Sequence, residues 1–176
     1  MTIKTERLLI VAHLPRHLRA LVRGVEDFEN TAGLRVADGI RDQLLSARAD
    51  YLTKLETAKE PDPWQFGFGV IHKTDNVLMG MCGFPGLPNE QGVAEIAYGI
   101  APEYQGRGYA TEAAQALIDF ASRDARVKKL RAHTLPEWNG STRVLEKCSF
   151  RKIGDSVDPG TDQPVWRWER PVTLVG

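Results

Sequence analysis

Val93 to Arg123 reads VAEIAYGIAPEYQGRGYATEAAQALIDFASR. Val93, Ile96, Tyr98 and Ile100 lie in a run of β-branched, aromatic and small residues, which predicts a strand. Pro102 cannot continue the ladder. A glycine-rich turn follows, Gln105-Gly106-Arg107-Gly108-Tyr109-Ala110. Ala110, Ala113, Ala114, Leu117, Ile118 and Ala121 then recur at i, i+3, i+4, i+7, i+8 and i+11, the spacing of an amphipathic helix laid on a sheet.

A strand, glycines and a helix start in succession have the makings of an anion site. The first amides of a helix have no intrahelical acceptor, the peptide dipoles add partial positive charge there, and glycine lets backbone N–H groups close on a phosphate. An ordinary tight turn is the other reading. Two phosphate motifs are excluded: no Lys-Ser or Lys-Thr follows the glycines, as a P-loop requires. Thr111 stands where the dinucleotide fingerprint places its third glycine.

Outward from this stretch, Arg7–Ala12 (RLLIVA) predicts a first strand and Pro15 a helix to about Arg23. Gly24–Gly39 has no period and is expected to be a loop or a loosely held helix. Asp38 is a candidate cap for a second helix through about Lys59. Trp64–Ile71 alternates as a strand, with Trp64, Phe66, Phe68 and Val70 on one side. Lys73–Asn76 is a turn by composition, and Val77–Phe84 the returning strand. Beyond the central helix come a strand at Lys129–Leu135, a short helix after Ser141, which is a plausible cap, a strand from Phe150 to Ile153 and a last strand at Val165–Glu169. Strand, helix, strand implies a parallel pair joined by a crossover.

Composition bounds the function. At 176 residues and 42% hydrophobic, one domain over 1–176 is expected. Lys plus Arg and Asp plus Glu both number 23, so net charge gives no argument for nucleic acid or a membrane surface as partner, and neither is expected. The two cysteines make neither a disulfide framework nor a zinc cluster. The four histidines form no ligand set, so no metal site is expected. No apolar run reaches spanning length, and a cytoplasmic protein is the expectation.

Gln105, Gly108 and Ala110 fit the Gln/Arg-x-x-Gly-x-Gly/Ala loop of the GNAT acyltransferases, which this chain resembles. The order β, α, α, β, β, β, α, β, α, β, β is that fold's order. Asn139-Gly-Ser141-Thr-Arg143-Val-Leu-Glu-Lys147-Cys-Ser-Phe150 is similar to the N-A-S-x-R-V-L-E-K-x-G-F segment of members resembling the ribosomal-protein alanine and serine N-acetyltransferases. Thr5-Glu6-Arg7-Leu8 resembles that subfamily's start. The resemblance implies an α/β (α+β) fold, a mixed central sheet flanked by helices and splayed between its fourth and fifth strands. It implies acetyl-CoA as co-substrate and a small-molecule amine, or a peptide or protein N-terminus, as acceptor. A homodimer is compatible with it. A non-catalytic acyl-CoA sensor or interaction module on the same fold is the alternative.

By the same resemblance, Gln105, Gly106, Arg107, Gly108, Tyr109, Ala110 and Thr111 hold the pyrophosphate, and the backbone of Ile100 and Ala101 pairs with the pantetheine arm. Asn139 bonds the pantetheine amide, or is a turn or cap residue. The family often carries a bulky aromatic where Gly99 stands. Gly99 is expected to start the splay as a bulge, or else only to relieve crowding. The tyrosine acid of some members is absent, since Leu145 falls at its place and Ser149 replaces the following glycine. That leaves Ser141 as proton donor, or as a cap. Glu95, a carboxylate among Ala94, Ile96 and Ala97, is the expected base, or a solvent-facing strand residue. Tyr98 is expected to line the same pocket as Glu95, and His133 to be structural.

Overall fold

The computed structural model describes residues 1–173; the last three positions of the expected domain lie outside them. In chain order the elements are β1 (Thr2–Lys4), β2 (Leu8–Ala12), α1 (Pro15–Arg23), α2 (Val25–Ala32), β3 (Arg35–Val36), α3 (Ile40–Leu45), α4 (Ala49–Thr57), α5 (Pro63–Phe66), β4 (Phe68–His72) and β5 (Val77–Gly83). Then come β6 (Val93–Glu95), β7 (Ala97–Ile100), α6 (Tyr109–Ala121), β8 (Lys129–Thr134), α7 (Gly140–Lys147), β9 (Arg151–Val157) and β10 (Pro164–Pro171).

The strands form two sheets. One runs β1-β2-β4-β5-β3, with β7 also paired to β5; the other runs β6-β8-β10-β9. The stretch Val93–Ile100 belongs to both. Its first half lies parallel to β8, Glu95 opposite Arg131, and its second half antiparallel to β5, Tyr98 opposite Cys82. The changeover falls at Ile96, whose N–H still donates to the Arg131 carbonyl at 2.8 Å. The expected splay therefore exists, between β7 and β8. Gly99 does not start it: it pairs in register with Met81.

Helix α6 lies against β2, β5 and β7 and buries Ala113, Ala114, Ala116, Leu117, Ile118 and Ala121. Four alanines let the helix approach the sheet closely. Leu117 and Ile118 supply most of the apolar area, roughly 2 kcal/mol each.

Four local expectations are corrected. Gly24–Gly39 contains α2 and β3. Helix α2 buries only Phe28 and stops at Gly33, left-handed at φ 65°, so it shows no hydrophobic period and ends on a glycine. The second helix is two helices. The Ser46 hydroxyl donates to the Gln43 carbonyl at 2.8 Å, taking the acceptor that the next turn would use. Its N-cap is Gly39 rather than Asp38, with no side-chain cap. Trp64 sits in α5, capped by the Asp62 carboxylate, and its indole stacks on Phe84 with centroids 4.2 Å apart.

Candidate functional site

The glycine loop is an open cradle. Gly106 and Gly108 take positive φ, 77° and 83°, which bulkier residues adopt only under strain. Gly108 is the N-cap of α6 and offers no side chain to its amides. The backbone N–H groups from Gly106 to Thr111 make no hydrogen bond among the described residues. A Cβ on Gly106 would meet nothing within 4 Å. A row of unpartnered donors at the start of a 13-residue helix is the arrangement that accepts a phosphate.

These donors floor a cavity of about 870 Å³. Tyr98, Gly99 and Ile100 form one side; Asn139, Gly140, Ser141, Arg143, Val144 and Lys147 form the other. It opens where β7 parts from β8. Arg143 and Lys147 are four residues apart and so share one face of α7, adding two cations to the wall. That spacing was available in the sequence, and the resemblance did not pick them out.

The opening of the chain holds the loop in place. Arg7 donates through its N–H and Nε to the Glu112 carboxylate, both at 2.8 Å, and through Nη1 to the Arg107 carbonyl at 2.8 Å. Thr5 Oγ1 donates to the same carboxylate, and the guanidinium lies over the Tyr109 ring at 4.3 Å. Burial alone would push the Glu112 carboxyl up, but these hydrogen bonds outweigh it and hold it below the ordinary range.

The remaining expected residues divide. Gln105, Gly106, Gly108, Tyr109, Ala110, Thr111, Asn139, Ser141 and Ile100 line the cavity; Arg107, Ala101 and Glu95 do not. Arg107 contributes its backbone and extends outward, exposed. Ala101 is not available for pairing, because its N–H donates to the Met79 carbonyl at 2.7 Å. By strand alternation the groups facing the gap are those of Tyr98 and Ile100. The Ile100 carbonyl already accepts from Gln105 Nε2 at 2.9 Å.

Asn139, not Ser141, caps α7. Its Oδ1 accepts from the Ser141 and Thr142 amides at 2.9 and 3.2 Å, and the Asn139 N–H donates in return to Thr142 Oγ1 at 2.9 Å, a full capping box. The Asn139 Nδ2 has only Glu137 near it, at 3.4 Å. Ser141, inside the helix, meets Tyr98: the tyrosine hydroxyl donates to the Ser141 carbonyl at 3.1 Å and lies 3.4 Å from its Oγ. Burial pushes the Tyr98 phenol up to about 12, and the bond to Ser141 offsets this only in part. Tyr98 is therefore a protonated donor at the cavity wall.

Tyr98 and Glu95 do not share a face. Ala94, Ile96 and Ile100 are buried and Tyr98 points to α7, so Glu95, Ala97 and Gly99 occupy the opposite face. There Glu95 Oε1 is 2.9 Å from His133 Nδ1. His133 Nε2 is buried without a partner among the described residues. His133, expected to be structural, is thus the immediate neighbour of the expected base.

Among the described residues no helix is long and apolar enough to cross a membrane. The model of the acetyltransferase (GNAT) domain matches residues 7–151. An uncharacterized N-acetyltransferase, p20 of Bacillus licheniformis, is 36% identical over 87 residues, 49% of this chain and 49% of that protein. The chain spans about half the length of the curated relatives it matches. Two solved structures share the fold: the ribosomal-protein-S5-alanine acetyltransferase of Vibrio fischeri (TM-score 0.64, 16% identity, 98% and 97% covered) and RimL, a ribosomal L7/L12 α-N-protein acetyltransferase in complex with coenzyme A (TM-score 0.67, 15% identity, 99% and 100% covered). With the domain matched over most of its length, the split sheet and the amide-lined loop, the chain belongs to the GNAT acetyltransferase family.

Proposed function

We propose that the chain transfers an acetyl group from acetyl-CoA to a primary amine, by direct attack of the amine on the thioester. The observation that carries this reading is the row of unpartnered amides from Gly106 to Thr111 beneath a cavity that opens into the gap between two half-sheets. Acetyl-CoA supplies the activated acyl carbonyl. The loop amides, with Arg143 and Lys147, bind its phosphates. The outward backbone groups of Tyr98 and Ile100 hold the extended arm. The Asn139 Nδ2 is the remaining side-chain donor at the edge of the cap.

On the opposite face Glu95 takes the ammonium proton through a water, since it lies outside the cavity. The Tyr98 hydroxyl, backed by Ser141 and keeping its own proton, donates a hydrogen bond that stabilises the departing thiolate, and the thiolate takes its proton from water. The acceptor is a peptide or protein N-terminus, as the named activities of the two ribosomal-protein enzymes of similar fold suggest, or a small amine.

The binding-only alternative draws on Glu95 being tied to His133 rather than open to the cavity. Thiol release from acetyl-CoA across a panel of amines separates the two. Amine-dependent release is the expected result. Acetyl-CoA binding without release from any amine would make the chain a sensor.

A further inference from the structure

Gly99 leaves a side-chain place empty on β7, and the structure shows what takes it. A Cβ built on Gly99 would lie 2.1 Å from Gln43 Nε2, 2.8 Å from its Cδ and 3.1 Å from its Oε1. The Gln43 carboxamide, carried on α3, thus occupies the position of a side chain at residue 99. It is half-buried and makes no hydrogen bond among the described residues. A free carboxamide has two donors and an acceptor to offer, and leaving them unmatched beside a strand is unfavourable.

The position of this carboxamide bears on the reaction. Glu95, Ala97 and Gly99 alternate onto the face of the strand away from the Tyr98 ring, and Ala97 between them is exposed. An amine resting on the Ala97 methyl would lie roughly 7 Å along the strand from Glu95 and from Gly99. That span suits one water on the Glu95 side. On the other side, Gln43 reaches an atom two to four bonds beyond the amine. The other carboxylate of this face, Glu169, is already held by Lys129 and Arg131 at 3.0 Å each. Glu169 is therefore already matched by two cations.

We propose that Gln43, in the space that Gly99 leaves, selects the acceptor: an amine bearing an amide or similar neutral hydrogen-bonding group next to its amino carbon. The assignment rests on the acetyl-transfer reading above. Gly99 serves it indirectly, since any side chain there displaces the carboxamide.

Alaninamide and isopropylamine, matched in branching, are the probes. They differ in basicity, so the readout is the change in relative kcat/KM between variants. Gln43→Ala is expected to lower kcat/KM for alaninamide about five-fold, the loss of one hydrogen bond, and to leave isopropylamine and the acetyl-CoA thermal shift unchanged. Gly99→Ala should lower the alaninamide-to-isopropylamine ratio likewise, because the far end of a flexible side chain yields first; since Gly99 also borders the cavity, only that ratio is read from it. The double variant should be no worse than either single one. Equal losses for both amines, or none for either, would overturn the role of Gln43 while transfer itself stands. Wild-type protein that acetylates other amines of the panel but not alaninamide would overturn this proposal alone; acetyl-CoA binding with release from no amine at all would sink the transfer reading with it.

Discussion

At the scale of single residues, Glu95 and Asn139 each have a chemical role and a structural one, and a substitution separates them. An ammonium cannot attack a thioester, and a primary amine with a pKa near 10 is about one part in a thousand free at pH 7. Glu95→Gln keeps the shape and removes the basic oxygen. Its kcat should fall by roughly 10²-fold or more at pH 7, with acetyl-CoA affinity unchanged and the deficit shrinking at high pH. Near-normal turnover would leave Glu95 only as the hydrogen-bond partner of His133. For Asn139 the capping box sets the expectation. Asn139→Ala should lose about 1 kcal/mol of stability in urea titrations, and Asn139→Asp, which also caps, should restore it. If the aspartate variant folds like the wild type yet binds acetyl-CoA more weakly, Nδ2 is a ligand group as well.

At the scale of elements, the glycine loop and α6 depend on a segment a hundred residues away. Thr5 and Arg7 converge on Glu112, and Arg7 on the loop carbonyl of Arg107. Arg7→Ala and Glu112→Ala should show a coupling of about 1 kcal/mol in a double-mutant cycle, and each should weaken acetyl-CoA binding. Additive effects would make the contact incidental. The central helix and the loop were readable in the sequence because a 3.6-residue period and paired glycines are local signals. The division of Val93–Ile100 was not, since Ile96 differs in no local way from its neighbours and only the partners β5 and β8 reveal it. Nor could the sequence show the Gly99–Gln43 contact, which joins α3 to β7 across an untyped loop. Trp64 misled because an alternating apolar run also fits one helical turn capped by Asp62.

At the scale of the whole molecule, His13 links the fold to pH. It sits at the end of β2, and burial, helped by the charge of nearby His17, lowers its pKa from 6.5 to about 4. Between those values the unfolded chain binds a proton that the folded chain refuses. Stability should be full above pH 6.5 and fall as pH drops toward 4, by roughly 3 kcal/mol from this group. His13→Gln should flatten that slope in urea titrations at stepped pH; an unchanged slope would assign the acid sensitivity elsewhere. The divided strand has a consequence of another kind. β7 spends one edge on β5 and leaves the other unladdered, so an extended molecule lying there becomes the strand that the two sheets lack between them. On the acetyl-transfer reading proposed above, the thioester would be a building part before it is a reagent: it would close the seam beneath Ala97, and the amine would dock on a surface that its co-substrate has completed. Such a site would dictate sequence in time, with the acyl donor first in and the bare thiol last out.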